Sequence, residues 1–223
     1  MKKNTIIKRI ILIYIALSAV FFSLTMSINI VTKDKNYYYK YSEKNNIAEY
    51  AGVDSDKLKK MYSNLIDYIY KGDQNLINTD FNKREVSHMV DVNKLYNINI
   101  MVTYVATISL IAYIVYLSFA YKKKRSICRE LKFIRKIFLT ILFAMIILSI
   151  IISIDFDSAF IKFHHLFFNN DLWLLDPRTD IMIRMLPQDF FMNMAIRIGL
   201  YFVRFLALIY IILTILIRNN KEK

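Results

Sequence analysis

Three histidines, His88, His164 and His165, are the only side chains in this 223-residue sequence whose ordinary pKa lies near neutrality, which makes them its readiest proton carriers. Two of them stand in "FHHLFFNNDLWLLDP", Phe163 to Pro177, beside a run of aromatic rings that gives way to a polar, turn-like stretch. His88 lies in "TDFNKREVSHMVDVNKLY". If that stretch is helical, Asp91 is three residues on and shares its face, so the carboxylate can orient or charge-stabilise the imidazole. The same pair would also suit a solvated helix face. Phe160, Phe163, His164 and Phe167 fall at helical spacing and set an imidazole against apolar rings, which could equally be interfacial anchors. A zinc site from the three histidines and an aspartate is the rival chemistry. Adjacent histidines diverge by about 100° on a helix and no HExxH-like spacing occurs, so no metal is expected.

The elements that must position these groups are membrane spans. The sequence is 56% hydrophobic with three glycines and two prolines, and its apolar residues are gathered into blocks. Residues 10–30, 98–121, 137–154 and 194–217 each supply enough helix to cross a hydrocarbon core. The first block resembles a signal peptide in its basic start. Its apolar run is too long for that, and "SLTMSINIVTKDK" has no small-x-small cleavage pattern, so a retained span is expected.

Charge sets the expected orientation. The N-terminus (1–9), the loop 122–136 and the tail 218–223 hold 15 of the 31 lysines and arginines against two acids, Glu130 and Glu222. The other 16 basic residues are balanced by 16 acids. The positive-inside rule then puts both termini in the cytoplasm, and the loops 31–97 and 155–193, with every histidine, outside. The basic surplus is topological, so no nucleic-acid partner is expected. Cys128, the single cysteine, falls in the basic loop, so the outer loops have no thiol nucleophile and no disulfide.

Both outer loops are expected to fold, as a small α+β cap. "NYYYKYSEK" has the aromatic density and partial alternation of a strand. In "DSDKLKKMYSNLIDYIYKG", Asp54 and Ser55 suit a helix start, Leu58, Met61, Leu65 and Ile69 form one stripe, and Gly72 ends it. "DPRT", flanked by Leu172 to Leu175 and Asp180 to Met185, suggests a short hairpin, with Asp176 in its turn. Pro187 suits the first turn of a helix leading into the fourth span, with Gln188 and Asp189 at its positive end. Arg204 falls near mid-membrane, some 15 Å into that span, where a charge is expected to face the bundle interior or a wet cavity.

"REVSHMVDV" around His88, the block "FHHLFFNNDLWLLDPRTDIMIRMLPQDFF", the segment "IAEYAG" and four spans in matching order resemble the lipoprotein intramolecular transacylases, Lit, over nearly the whole chain. The resemblance implies an integral cell-membrane acyltransferase of Gram-positive bacteria, acting at the outer face without a cofactor. It would move the sn-2 acyl chain of a diacylglyceryl-modified N-terminal cysteine onto that cysteine's own α-amino group. The product is the N-acyl, S-monoacylglyceryl lyso form. Its partners would be lipoproteins and membrane lipid. The resemblance leaves the oligomeric state open, and a monomer is expected. His88 and His164 are the implied catalytic pair, with His88 as base, because Asp91 can raise its basicity, and His164 as acid or oxyanion donor; the order can be reversed. Asp91, Asn170, Asp171, Trp173, Asp180, Arg184 and Arg204 are the implied supporting or substrate-binding residues, and His165 a bystander. Another outward-facing membrane lipid hydrolase or acyltransferase, or a non-catalytic membrane adaptor, would share many of these features.

Overall fold

The computed structural model describes residues 2–122 and 127–219, so residues 123–126 of the basic loop and 220–223 of the tail lie outside the described residues. Its helices are α1 (Lys2–Lys33), α2 (Lys35–Lys44), α3 (Ile47–Ala51), α4 (Ser55–Lys71), α5 (Lys83–Lys122), α6 (Cys128–Ile154), α7 (Phe156–Phe167), α8 (Ile181–Met185) and α9 (Gln188–Asn219). A 3-10 turn, Gln74–Leu76, lies between α4 and α5. Helices α1, α5, α6 and α9 are long and apolar enough to cross a membrane, and each contains one of the four blocks. At 40 residues α5 is about 60 Å long, twice a hydrocarbon core. Its apolar part, 98–121, is therefore read as the span, and the polar turns from Lys83 to Asn97 extend beyond it.

Two compact units divide the chain. The first comprises Met1–Ser27, Ile100–Ile154 and Ile198–Lys223. Its core is aliphatic and periodic, with Leu12, Ile15, Ala16 and Ala19 on α1 meeting Leu131, Ile134 and Phe138 on α6 and Phe202, Leu206 and Leu213 on α9. Lys8 and a buried Glu130 pair at 2.5 Å. Of the two settings expected for Arg204, the bundle interior is not the one found. Phe202 and Leu206 occupy the inward face of α9, which leaves residue 204 about 200° around from Phe202, exposed and with its guanidinium over the Tyr201 ring at 5.3 Å.

The second unit is Ile28–Asn99 and Asp155–Arg197. Helix α4 follows its pattern: the Asp54 carboxylate accepts from the Asp56 and Lys57 amides, and Leu58, Met61, Leu65 and Ile69 are buried. Gly72, at φ 70°, ends the helix in a conformation that side chains with a Cβ rarely adopt.

The expected α+β cap is corrected, because there is no strand among the described residues. "NYYYKYSEK" forms α2, capped by Asp34 through the Tyr37 amide. Tyr37, Tyr38 and Tyr41 share one helical face, and all three pack on Phe190, so burial of that face overrides the strand preference of tyrosine. The hairpin is replaced by a turn at Asp176–Asp180 followed by α8, whose Met182 and Met185 are buried.

Candidate active site

Helix α5 opens with a capping box. Asn82 Oδ1 accepts from the Arg84 and Glu85 amides, and Glu85 Oε2 accepts from the Asn82 amide at 2.7 Å. Glu85 does more than cap, since its other oxygen accepts from the Met182 amide at 2.6 Å and so ties α8 to α5. Asn82 Nδ2 donates to the buried carboxylate of Asp180 at 2.7 Å, and Arg84 donates to the Asp171 carbonyl at 2.6 Å. About two turns further along, Asn170 donates to Asp91 at 2.9 Å. These links fasten the connection between α7 and α9 along the first turns of α5, the turns that carry His88.

His164 sits on α7, and its ring centre lies 6.2 Å from that of His88. Phe168 touches both, at 5.4 Å from His88 and 5.6 Å from His164. Trp173 stacks on His164 at 4.6 Å with the planes 25° apart, and Phe160 lies 4.3 Å away. Little water reaches either imidazole, His88 being 9% and His164 7% exposed. Burial disfavours the charged ring, and a neighbouring imidazole adds to it, so the His88 pKa is lowered to about 4 although Asp91 pulls the other way. His164 is lowered as well, chiefly by burial, against the opposing effect of the Phe160 carbonyl.

Tautomers follow from the hydrogen bonds. His164 Nδ1 lies 2.7 Å from the Phe160 carbonyl, which can only accept, so Nδ1 carries the hydrogen and the neutral ring keeps its lone pair on Nε2. His88 Nδ1 is buried with no hydrogen-bond partner among the described residues.

The other expected residues divide by what they touch. Asp91 directs its oxygens to Lys94 and Asn170. Burial pushes its pKa up, but those hydrogen bonds together with the neighbouring charges hold it below the usual carboxylate range. Trp173 is half-buried with Nε1 unpartnered among the described residues, and Arg184 Nε is in the same condition. Asp171 contributes its carbonyl to the Arg84 link. Asp180 is 4% exposed and accepts from Asn82, Thr179 and the Asp176 amide, a structural knot. Asp176 closes the turn, accepting from the Arg178 amide and guanidinium. His165 is exposed, with its ring edge-on to Trp173 at 5.3 Å. Arg204 belongs to the other unit. Asn82, Arg84 and Glu85 were not anticipated, although "NKRE" shows the spacing of a capping box. Among the described residues no three of His, Cys, Asp and Glu gather as a metal-ligand set.

Two uncharged imidazoles in an apolar enclosure, one with a free lone pair and one with an unengaged nitrogen, can pass a proton between reacting groups while water is kept away.

The sequence matches the family "Lipoprotein intramolecular transacylase Lit" over residues 13–191. No curated protein matches the chain. Among solved structures, the membrane integral lipoprotein intramolecular transacylase Lit from Bacillus cereus is 28% identical, with a TM-score of 0.82 over 97% of this chain and 99% of that one. Two variants of the same protein, with a histidine replaced by arginine or by alanine, are also 28% identical with TM-scores of 0.79. The alignments cover 99% and 100% of this chain, and 96% and 99% of theirs. With its four apolar helices, the chain is a multi-pass, nearly all-helical membrane protein of that fold.

Proposed function

The chain belongs to the Lit family of lipoprotein transacylases, and from that premise we propose that it performs an intramolecular O-to-N acyl shift at the outer face of the cell membrane, as a monomer. The substrate is a lipoprotein whose N-terminal cysteine carries a diacylglyceryl group on sulfur. The sn-2 acyl chain moves to that cysteine's α-nitrogen, which leaves an N-acyl, S-monoacylglyceryl terminus.

An α-amine with a pKa of roughly 7.7 to 8.0 is mostly ammonium near neutrality and must first lose a proton to solvent. The neutral amine then attacks the sn-2 ester carbonyl. As the C–N bond forms, a second N–H proton passes to a base. As the C–O bond breaks, that proton goes on to the departing glyceryl oxygen, so the base ends unchanged. His164 suits this role better than His88, because its Nδ1 is committed to the Phe160 carbonyl and its Nε2 is left as the acceptor. Asp91 does not make His88 the better base, because burial outweighs its charge and it is engaged by Asn170 and Lys94. His88 stays neutral and offers an N–H to the developing oxyanion, a role in which a low pKa is an advantage.

Positioning supplies the rest. Amine and ester belong to one molecule, and well-oriented intramolecular reactions gain up to about 7 to 11 kcal/mol over free encounter. The rings of Phe160, Phe163, Phe168 and Trp173 favour transfer over hydrolysis by keeping water from the ester. The observation that carries the proposal is the pair of buried imidazoles 6.2 Å apart.

The test uses a lipopeptide with an isotopically heavy sn-2 chain, reconstituted with the protein in vesicles of light lipid. Mass spectrometry should find the heavy chain on nitrogen with the acyl count unchanged. A light chain on nitrogen would contradict the intramolecular route, loss of a chain without N-acylation would indicate a hydrolase, and an unaltered peptide would leave an adaptor.

A further inference from the structure

We infer that Trp173 is a positioning residue for the proton transfer, its indole face stabilising the imidazolium that His164 becomes as the amine attacks. The inference rests on the base role proposed for His164.

When His164 takes a proton, a full charge appears on a ring that is 7% exposed, so water can do little to solvate it. Among the described residues no carboxylate pairs with it. Asp91 acts on His88 and is itself held by Asn170 and Lys94, and no carboxylate of the described residues is among the groups that act on His164. The other groups facing His164 are His88 from α5, a neutral ring, and His165 from α7, whose charge would oppose a second one. The α7 to α9 connection brings Trp173. What is left to hold the charge is the Phe160 carbonyl on Nδ1 and the faces of the surrounding rings. Of those rings Trp173 is stacked most nearly parallel to the imidazole, at 4.6 Å and 25°, well inside the range of a cation–π contact, and indole has the strongest quadrupole of the three aromatic side chains. Its Nε1 has no partner among the described residues, so no hydrogen bond accounts for where the indole sits.

An indole that only excluded water would depend on its shape. One that stabilises a cation depends on its π density, and the two can be separated because Trp173 is the only tryptophan in the sequence. Grown in a tryptophan auxotroph with 5-fluoro-, 5,6-difluoro- or 5,6,7-trifluorotryptophan, the protein changes at this ring alone, with its bulk nearly conserved and its π density progressively withdrawn.

The experiment follows the ring-carbon resonance of His164 against pH by NMR, with ¹³C-labelled histidine and no substrate. A His165→Gln background leaves His164 as the one imidazole against the indole. The protonation midpoint should fall stepwise along the series, by about tenfold in proton affinity in total, and the acid limb of the acyl-transfer pH profile should move with it. A midpoint that is the same for all four indoles would overturn the inference. Because the titration needs no turnover, a protein that transfers no acyl chain counts against the proposed function, whereas a flat titration in an active protein counts against Trp173 alone.

Discussion

The two units use their polar side chains in opposite ways. In the unit built from the apolar spans, most hydroxyls fold back onto their own helix: Ser23 donates to the Ala19 carbonyl, Ser118 to Ile114 and Thr140 to Lys136. Helix is held to helix there mainly by aliphatic packing, with Lys8–Glu130 and Tyr14–Ser109 among the few polar links between elements. In the unit that carries the histidines, polar groups reach across: Glu85 to Met182, Asn82 to Asp180, Arg84 to Asp171, Asn170 to Asp91, Tyr62 to Met185 and Asn93 to Ile69. Apolar packing tolerates small slides, whereas hydrogen bonds between named atoms do not. The directional bonds are concentrated in the unit where two rings have to keep a working distance.

If that contrast is right, damage to the cross-links should cost most. Glu85→Ala leaves the Asn82 and Met182 amides without acceptors in a site where the carboxylate is 1% exposed. The expected loss is roughly 3 kcal/mol or more of stability with acyl transfer largely gone, and Glu85→Gln should recover part of both. Thermal unfolding of the purified protein checks this.

A second effect is on pH. The pKa of His88 is about 4 in the folded chain against roughly 6.5 when unfolded, so the unfolded chain binds the proton first as pH falls. Stability present above about 6.5 should therefore drain away toward pH 4, and His88→Gln should flatten much of that slope in a thermal-shift series. Asn170→Ala removes one exposed link to Asp91 and should cost about 1 kcal/mol, with transfer slowed up to about tenfold. At the small end, Ser118→Ala breaks a bond that only returns to its own helix, and neither melting nor transfer should change measurably.

How much of this was legible in the sequence differs between the same two regions. The four spans were readable because bilayer thickness imposes a length that composition reveals directly. Helix α4 was readable too, since Asp54, the Leu58–Ile69 stripe and Gly72 all act within one element. The tyrosine-rich stretch at 36–41 reads locally as a strand, because its partner, Phe190, is some 150 residues away and local strand preference says nothing of it. For Arg204 depth in the span left both the bundle interior and a wet cavity open, and only the buried face of α9, set by Phe202 and Leu206, removes the first. In the site, His88 and Asp91 do lie along one stretch of α5, yet which acid serves which imidazole depends on Asn170, brought in from another element. The capping-box spacing of Asn82 and Glu85 was visible, but that Glu85 also accepts from Met182 becomes apparent only when α8 is in place.

Acyl transfer here depends on His164 handling the proton. The most direct measurement is the single-turnover rate of N-acylation by His164→Ala protein in vesicles, compared with the unaltered chain after both are shown to be folded by their melting. A loss of between about a hundredfold and ten-thousandfold is predicted, the range expected when a general base is removed. A rate within a few-fold of the original would contradict it.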